Sequence, residues 1–306
     1  MILMAEKNTA ALKSTALKSS GTSMAKFKET AMHGVFLVSA LVSVFSVIVI
    51  CIFLFASGFP AMAEIGVLDF LTGTDWHPLE GEFGILPMIV GSLYVTAGAI
   101  IVGVPIGILC AVFMSRYCPP KLHRIIKPMI NLLAGIPSIV YGFFGLVVIV
   151  PIMQYIFGGS GKGILTASIL LGIMILPTII GLTESAINAV PESYYEGALA
   201  LGATHERSVF CAMLPAAKSG ILAGVILGIG RAVGETMAVV MIAGNQVEMP
   251  SGITSGVRTM TANIVMEMGY AAEGLHRDSL IATGVVLFIF VLIMNLSFSL
   301  LKRGDK

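Results

Sequence analysis

Six long apolar stretches dominate this sequence. A helix needs roughly 20 residues to cross a hydrocarbon core of about 30 Å, and each stretch is long enough to do so. In chain order they are Val35–Ala56, Ile85–Ser115, Pro128–Phe157, Ile164–Thr183, Ser219–Gly244 and Leu280–Leu301. Only 11% of the 306 residues are charged, which is less than half of the roughly 25% found in soluble domains. We therefore predict an all-α, polytopic membrane protein with six transmembrane helices.

Lysine and arginine are distributed unevenly among the segments that join these stretches. One set of alternate segments, which includes both termini, holds 14 of the 18 basic residues. The other set holds Lys162, Arg258 and Arg277, and Arg231 lies inside the fifth stretch. Cytoplasmic segments of membrane proteins carry an excess of Lys and Arg. Both termini are therefore expected to face the cytoplasm, and the acidic segment Ser57–Gly84 is expected to be external.

The same patterns predict three regions along the chain. Residues 1–30 are rich in Lys, Ser, Ala and Thr and are expected to form a disordered cytoplasmic tail. Residues 31–84 hold the first transmembrane helix and the external segment, and residues 85–306 form the main transmembrane domain. Its second and third stretches are longer than a perpendicular helix needs. Kinks are expected at prolines, here Pro87, Pro105, Pro137 and Pro151.

Sequence patterns for nucleotide or metal binding are incomplete. The segment Gly158–Gly163 resembles a phosphate-binding loop, but it lacks Ser or Thr after Lys162 and Gly five residues before the second Gly of the pattern. We interpret it as a flexible hairpin, so the chain itself is not expected to bind ATP. The histidines of the loops lack metal-ligand spacing. No metal, cofactor or nucleic-acid partner is expected, and membrane lipid should surround the protein.

The fourth loop, Asn188–Lys218, has the pattern of a helix–turn–helix on the predicted cytoplasmic side. Residues Glu196 to Leu201 favour a short helix that ends at Gly202, and a second helical turn leads to Pro215. Its small side chains offer a surface that a partner could grip. Alternatively, an amphipathic helix could rest here on the lipid headgroups.

This loop resembles the "EAA" loop of ABC importer permeases, in which Glu-Ala-Ala, three residues, Gly, nine residues, Ile, any residue and Leu-Pro follow one another. The chain matches at Glu196, Ala198, Gly202, Leu214 and Pro215, and it departs at Gly197 and Ala212. The resemblance implies a type I ABC importer (MetI-like) core. It also implies that residues 188–218 contain a coupling helix, which docks on an ATPase subunit and transmits its closure, while the chain itself hydrolyses nothing.

Charged residues occur in the middle of the fifth stretch. Arg231 lies about 18 Å from Ser219 at a rise of 1.5 Å per residue, and Glu235 should follow one turn later on the same face. Burying an arginine there costs at least ~2.5–3.5 kcal/mol, so Arg231 should face the bundle interior or a cavity. Either the two charges neutralise each other and lock helix packing, or Arg231 meets a transported anion and Glu235 orients it. The planar guanidinium suits a tetrahedral oxyanion.

Two further patterns concern the surroundings of this stretch. Gly220, Gly224 and Gly228 recur at four-residue spacing, which lets a neighbouring helix approach closely. The external segment Asn245–Ser279 contains apolar residues at helical spacing, beginning at Met260. That spacing predicts either a re-entrant helix that caps the pathway or a loop helix packed on the bundle.

Two strings resemble the signature of PstC-type phosphate permeases. They are Gly230–Val239, which reads GRAVGETMAV, and Leu133–Gly142, which reads LAGIPSIVYG. The sister PstA family has Ala-Pro in place of Met237 and Ala238, and an aliphatic residue in place of Tyr141. The resemblance implies a substrate pathway that includes Arg231, Glu235 and Thr236. It also implies a heterodimer with a PstA-type permease subunit, two copies of a PstB-type ATPase, and an external PstS-type phosphate-binding protein.

Two other functions remain as alternatives. The first is an ABC permease for another oxyanion, such as sulfate, molybdate or phosphonate, although those families lack the Arg-Ala-x-Gly-Glu-Thr string. The second, from a different class, is an ion-coupled secondary transporter. Such transporters usually have inverted repeats with broken helices, and no repeat is visible in this sequence.

Overall fold

The computed structural model describes the backbone of residues 2–303 and the side chains of residues 27–297. Most of that backbone is helical. The α-helices are α1 (Ile2–Ile65), α2 (Val67–Thr72), α3 (Leu86–Val112), α4 (Pro120–Gly135), α5 (Ser138–Phe144), α6 (Val150–Phe157), α7 (Ile164–Asn188), α8 (Glu192–Ala200), α9 (His205–Ser208), α10 (Leu214–Gly234), α11 (Met237–Ile242), α12 (Met260–Met268) and α13 (Leu275–Arg303). Strand β1 (Trp76–His77) pairs antiparallel with β2 (Glu82–Phe83).

Three π-helical turns interrupt or extend the long helices: Phe113–Tyr117 after α3, Gly145–Ile149 between α5 and α6, and Val209–Met213 between α9 and α10. With these turns included, six helices of the described chain are long and apolar enough to cross a membrane. They are Phe27–Ile65, Leu86–Tyr117, Ser138–Phe157, Ile164–Asn188, His205–Gly234 and Leu275–Ser297. The predicted all-α architecture with six transmembrane helices is confirmed.

The chain divides into two compact units, Met1–Ala56 and Ser57–Lys306. The first unit is helical from Ile2 onward, which differs from the disorder that the composition of residues 1–30 suggests. Ala, Leu, Lys, Met and Glu are common in this segment, and they are strong helix formers. In residues 27–56 nearly every side chain is exposed, as expected of a span whose apolar surface faces lipid.

The second unit is built around α7, the most deeply buried of the membrane-length helices. Helix α3 packs against one side of α7 and α10 against another. Glycines allow both approaches, since a Cβ atom at Gly107 of α3 would lie 2.8 Å from Ile179, and one at Gly228 of α10 would lie 2.9 Å from the same side chain. The close approach predicted from the glycines at positions 220, 224 and 228 is confirmed.

Two predicted stretches are broken in the structure. The stretch Pro128–Phe157 is interrupted at Ile136 and Pro137, because the residue before a proline disfavours the helical conformation. Helix α4 is therefore separate from the span that begins at Ser138. The stretch Ser219–Gly244 ends as a continuous helix at Gly234, and the short helix α11 follows.

Candidate functional site

Arg231 lies in the last turn of α10 and lines a cavity of about 710 Å³. The cavity is formed by α7, α10 and α13. Thr178, Asn295 and Arg231 contribute its polar side chains, and the remaining lining consists of apolar residues and glycine. A cation suits this position because the carbonyl end of a helix carries partial negative charge. The expectation that Arg231 faces a cavity is confirmed.

The Arg231 guanidinium makes no ion pair among the side chains of residues 27–297. Tyr141 of α5 is buried, and its hydroxyl donates a hydrogen bond to the Leu133 carbonyl, 2.8 Å away. The two strings singled out in the sequence meet where α5 packs on α11, since a Cβ atom added at Gly142 would lie 2.9 Å from the Ala238 Cα atom. A cation that lacks a carboxylate partner retains its capacity to attract an anion.

Glu235 does not continue the face of α10 that carries Arg231, and that expectation was wrong. The helix ends at Gly234, and Glu235 has the extended backbone angles φ −69° and ψ 132°. Its Oε1 atom accepts a hydrogen bond of 3.2 Å from the Ala238 amide in the first turn of α11. The carboxylate thus satisfies a free helix-terminal N–H group instead of neutralising Arg231. In this geometry Arg231 and Glu235 form no ion pair with each other.

Thr236 stands next to the same break, between α10 and α11. Its hydroxyl donates to the Gly234 carbonyl at 3.2 Å, and the Glu235 carbonyl accepts from Thr261 of α12 at 3.1 Å. Both Glu235 and Thr236 are half-buried, but neither lines the cavity that holds Arg231. Of the three predicted pathway residues, Arg231 therefore lines the cavity, whereas Glu235 and Thr236 lie at the adjacent break between α10 and α11.

The predicted coupling loop has the expected helix–turn–helix form. Helix α8 carries Glu196 and Ala198, and Gly202 follows it with φ +83°, a left-handed conformation that glycine adopts readily. Glu196 and Gly202 are exposed, whereas Ala198 and Leu214 are half-buried. Pro215 lies in the first turn of α10, directly after the π-helical turn Val209–Met213. The motif thus combines an exposed surface with residues that pack inward.

Sequence reasoning missed several residues of these sites. Thr178 and Asn295 line the Arg231 cavity, and an isolated polar residue in an apolar span was the available signal. Glu184 was treated only as the end of a span, yet it is buried and contacts both Lys127 and His123 of α4. In the part of the chain that the structure describes, no three His, Cys, Asp or Glu side chains are grouped to hold a metal ion.

The helix predicted from the apolar spacing that begins at Met260 is present as α12. It packs against α3, α11 and α13, and its own residues Asn263 and Glu267 are buried. Arg258 bonds to both, with Nη1 2.6 Å from Glu267 Oε1 and 3.0 Å from Asn263 Oδ1. Of the two interpretations, a loop helix packed on the bundle describes these contacts.

Comparison with known proteins matches this architecture. The family model described as "Binding-protein-dependent transport system inner membrane component" matches residues 103–304. The probable ABC transporter permease protein YqgH of Bacillus subtilis is 37% identical over 270 residues, which is 86% of each chain. The phosphate transport system permease protein PstC of Mesorhizobium japonicum is 36% identical over 277 residues, which is 84% of each chain.

A solved structure gives the same fold. A chain of the MetNI methionine ABC transporter, in an inward-facing conformation, matches with a TM-score of 0.57 and 20% identity, covering 76% of this chain and all of its own length. At that identity the likeness concerns the fold alone, and it confirms the predicted MetI-like importer core.

These findings define the class of the protein. It is a multi-pass inner-membrane component, and in such transport systems a separate ATPase subunit hydrolyses ATP and a binding protein delivers the substrate. The chain therefore belongs to the family of inner membrane components of binding-protein-dependent transport systems, and within it to the PstC-type permeases.

Proposed function

We propose that this chain is a transmembrane permease subunit of an ATP-driven phosphate importer and forms half of its translocation pathway. The observation that carries the proposal is the Arg231 guanidinium, which lines a cavity between spans and has no ion-pair partner among the described side chains. Phosphate is the natural anion for such a site, because a guanidinium donates two parallel hydrogen bonds to a tetrahedral oxyanion. Relatives that are named as phosphate transport permeases support the choice of substrate.

The rest of the assembly follows from the same proposal. The chain would pair with a PstA-type permease subunit, bind two copies of a PstB-type ATPase, and receive phosphate from a PstS-type binding protein. Residues 188–218 would dock on the ATPase, and residues 85–306 would form the permease domain.

The orientation in the membrane is part of the proposal, with both termini in the cytoplasm. The Lys/Arg asymmetry supports it. A single cysteine at Thr72 in a cysteine-free chain should then react with an impermeant thiol reagent on intact cells, and one at Arg124 should not. The reverse pattern would refute this orientation.

Phosphate uptake by variants of Arg231 tests the substrate contact. Arg231→Lys keeps the charge but loses the planar fork, so uptake should fall. Arg231→Gln should fall by about tenfold or more, because a hydrogen bond to a charged group contributes about 1.5–3 kcal/mol. Uptake is measured in membranes that contain equal amounts of the assembled transporter, with sulfate and molybdate as competitors. Arg277→Gln, at an exposed external arginine, is the matched control and should transport normally.

Two outcomes would contradict the proposal. Competition by sulfate or molybdate as strong as that by unlabelled phosphate would assign the chain to another oxyanion. Restoration of uptake in the double variant Arg231→Gln with Glu235→Gln would mean that the two residues act only as a structural pair. Since Glu235 caps α11 rather than meeting Arg231, we expect no restoration.

A further inference from the structure

Three successive residues at the cytoplasmic end of α3 contact three different elements. Ser115 Oγ donates a hydrogen bond of 2.6 Å to Asn188 Oδ1 at the end of α7. Arg116 Nη1 lies 3.1 Å from both carboxylate oxygens of Glu192 in the first turn of α8. The Tyr117 ring lies edge-to-face on His205 of α9, with 4.7 Å between the ring centroids. One π-helical turn thus joins the bundle to both helices of the loop.

A second set of contacts centres on Tyr195 of α8. The Arg116 guanidinium carbon lies 5.7 Å from the centroid of the Tyr195 ring, within the range of a cation–π interaction. The Tyr195 hydroxyl hydrogen-bonds to His205 Nδ1 at 2.7 Å. Arg116 therefore touches α8 at two successive turns, and Tyr195 connects α8 to α9. These contacts fix both the position and the direction of α8.

None of the residues of α8 is fully buried. The Arg116–Glu192 pair is not a major source of stability, since the Glu192 side chain is 55% exposed and ion pairs of exposed residues contribute little. A contact that adds little stability but fixes geometry is suited to orienting the loop. Arg116 itself is only 14% exposed, so its own position is set by the bundle.

Movement of the α3 end would reach the centre of the bundle. Helix α3 packs closely on α7 at Gly103 and Gly107, which have no side chains. A Cβ atom added at Gly103 would lie 2.7 Å from Ile175, and one added at Gly107 would lie 2.8 Å from Ile179. Tightly packed helices shift as units and do not absorb displacement gradually. The π-helical geometry of Phe113–Tyr117 is itself of a kind that often occurs at functional sites.

From these contacts we infer that Arg116 is a positioning residue for energy coupling, which orients α8 and passes its displacement to α3. The inference rests on the proposed function, because it requires that residues 188–218 receive the movement of an ATPase. It adds a residue outside that loop, on a different span. The loop is covalently continuous with α10. In this role of Arg116, the contact with α3 gives the loop a second, non-covalent connection to the bundle.

The complete transporter, reconstituted in liposomes with its partner permease, ATPase and binding protein, provides the test. For Arg116→Ala and Arg116→Lys we expect normal co-purification of the ATPase and normal ATP hydrolysis without binding protein. Phosphate taken up per ATP hydrolysed should fall about fivefold or more, the lower end of typical coupling between sites. Glu192→Gln should likewise lower the phosphate taken up per ATP, and the double variant Arg116→Ala with Glu192→Gln should be no worse than Arg116→Ala alone.

Arg124→Ala is the matched control, since Arg124 is an exposed arginine on the neighbouring helix α4, and its uptake per ATP should equal that of the wild type. Wild-type uptake per ATP in both Arg116 variants would overturn the positioning role while leaving the proposed function intact. Loss of the ATPase from the complex in Arg116→Lys would also overturn it, because the contact would then serve docking alone. If the wild-type complex itself neither binds the ATPase nor imports phosphate, the proposed function fails and the positioning role fails with it.

Discussion

The Glu184 carboxylate on α7 forms an ion pair with the Lys127 ammonium group on α4. Glu184 is buried, and its second oxygen lies 2.9 Å from His123 Nε2, also on α4. Helix α4 contacts the bundle through the face that carries these residues and Ile130. The pair therefore attaches α4 to α7 ahead of the break at Pro137, which leads into the span that contains Tyr141.

Removing Lys127 should destabilise the protein more than removing the charge of Glu184. In Lys127→Ala the buried carboxylate loses its cation, and a buried charged group left unsatisfied costs about 1–3 kcal/mol or more. In Glu184→Gln the side chain keeps its shape and can still accept a hydrogen bond, so the loss should be smaller. The thermal unfolding midpoint of each purified variant in detergent measures the difference.

The control for this pair is Lys121→Ala, because Lys121 is exposed on the same helix and its removal should leave the midpoint unchanged. The double variant Lys127→Ala with Glu184→Gln should recover much of the stability lost in Lys127→Ala. Equal midpoints for Lys127→Ala and Lys121→Ala would show that the pair does not stabilise the packing of α4 on α7.

Identical glycine-to-alanine changes on facing helices should have opposite effects. An added Cβ at Gly220 of α10 would clash with the Ala186 Cβ of α7, whereas Gly181 of α7 has open space around it. Overpacking typically costs about 1–3 kcal/mol, so Gly220→Ala should lower the unfolding midpoint. Gly181→Ala should raise it or leave it unchanged, since alanine is favoured over glycine in a helix by up to about 1 kcal/mol. A midpoint for Gly220→Ala at or above that of wild type would contradict the packing described for α7 and α10.

Much of this architecture was predictable because lipid imposes simple requirements. Spans must be long and apolar, and small residues must occur where helices approach closely, so the six spans and the glycines of α10 could be recognised. The motif in residues 188–218 contains residues that mark helix ends: Gly202 has the left-handed conformation, and Pro215 lies in the first turn of α10. Local sequence and tertiary structure agree at each of these positions.

The helix break at Glu235 could not be predicted in the same way. The sequence stays apolar on both sides of the break, and no proline lies at it. The stretch Ser219–Gly244 was therefore predicted to be a single helix. The break is stabilised by contacts that are distant in sequence, such as the hydrogen bond from Thr261 to the Glu235 carbonyl. For the same reason the sequence placed Arg231 and Glu235 on one helix face, whereas in the structure α10 ends between them. The contact of Glu184 with α4 likewise joins residues about sixty positions apart and leaves no local pattern.

Substitutions on the exposed face of the coupling loop should uncouple ATP hydrolysis from transport without unfolding the bundle. Glu196 and Gly202 are both exposed, and apart from its chain neighbours no atom of the described residues lies within 4 Å of a Cβ added at Gly202. A large side chain at position 202 would therefore project outward, toward a partner rather than into the protein. We expect that Gly202→Trp and Glu196→Lys reduce both co-purification of the ATPase and phosphate-stimulated ATP hydrolysis, with an unfolding midpoint close to that of wild type.

Gly202→Asn separates the effect of bulk from the effect of backbone strain. Gly202 has φ +83°, and asparagine tolerates the left-handed region better than tryptophan does. Asparagine should therefore preserve both the end of α8 and the binding of the ATPase. If Gly202→Asn fails as completely as Gly202→Trp, strain at the helix end is the cause, and the variant says nothing about docking. In that case Glu196→Lys, which lies within α8 and imposes no unusual backbone angle, decides the matter. Normal ATPase binding and normal stimulation in Glu196→Lys would then show that the exposed face of α8 is not the docking surface.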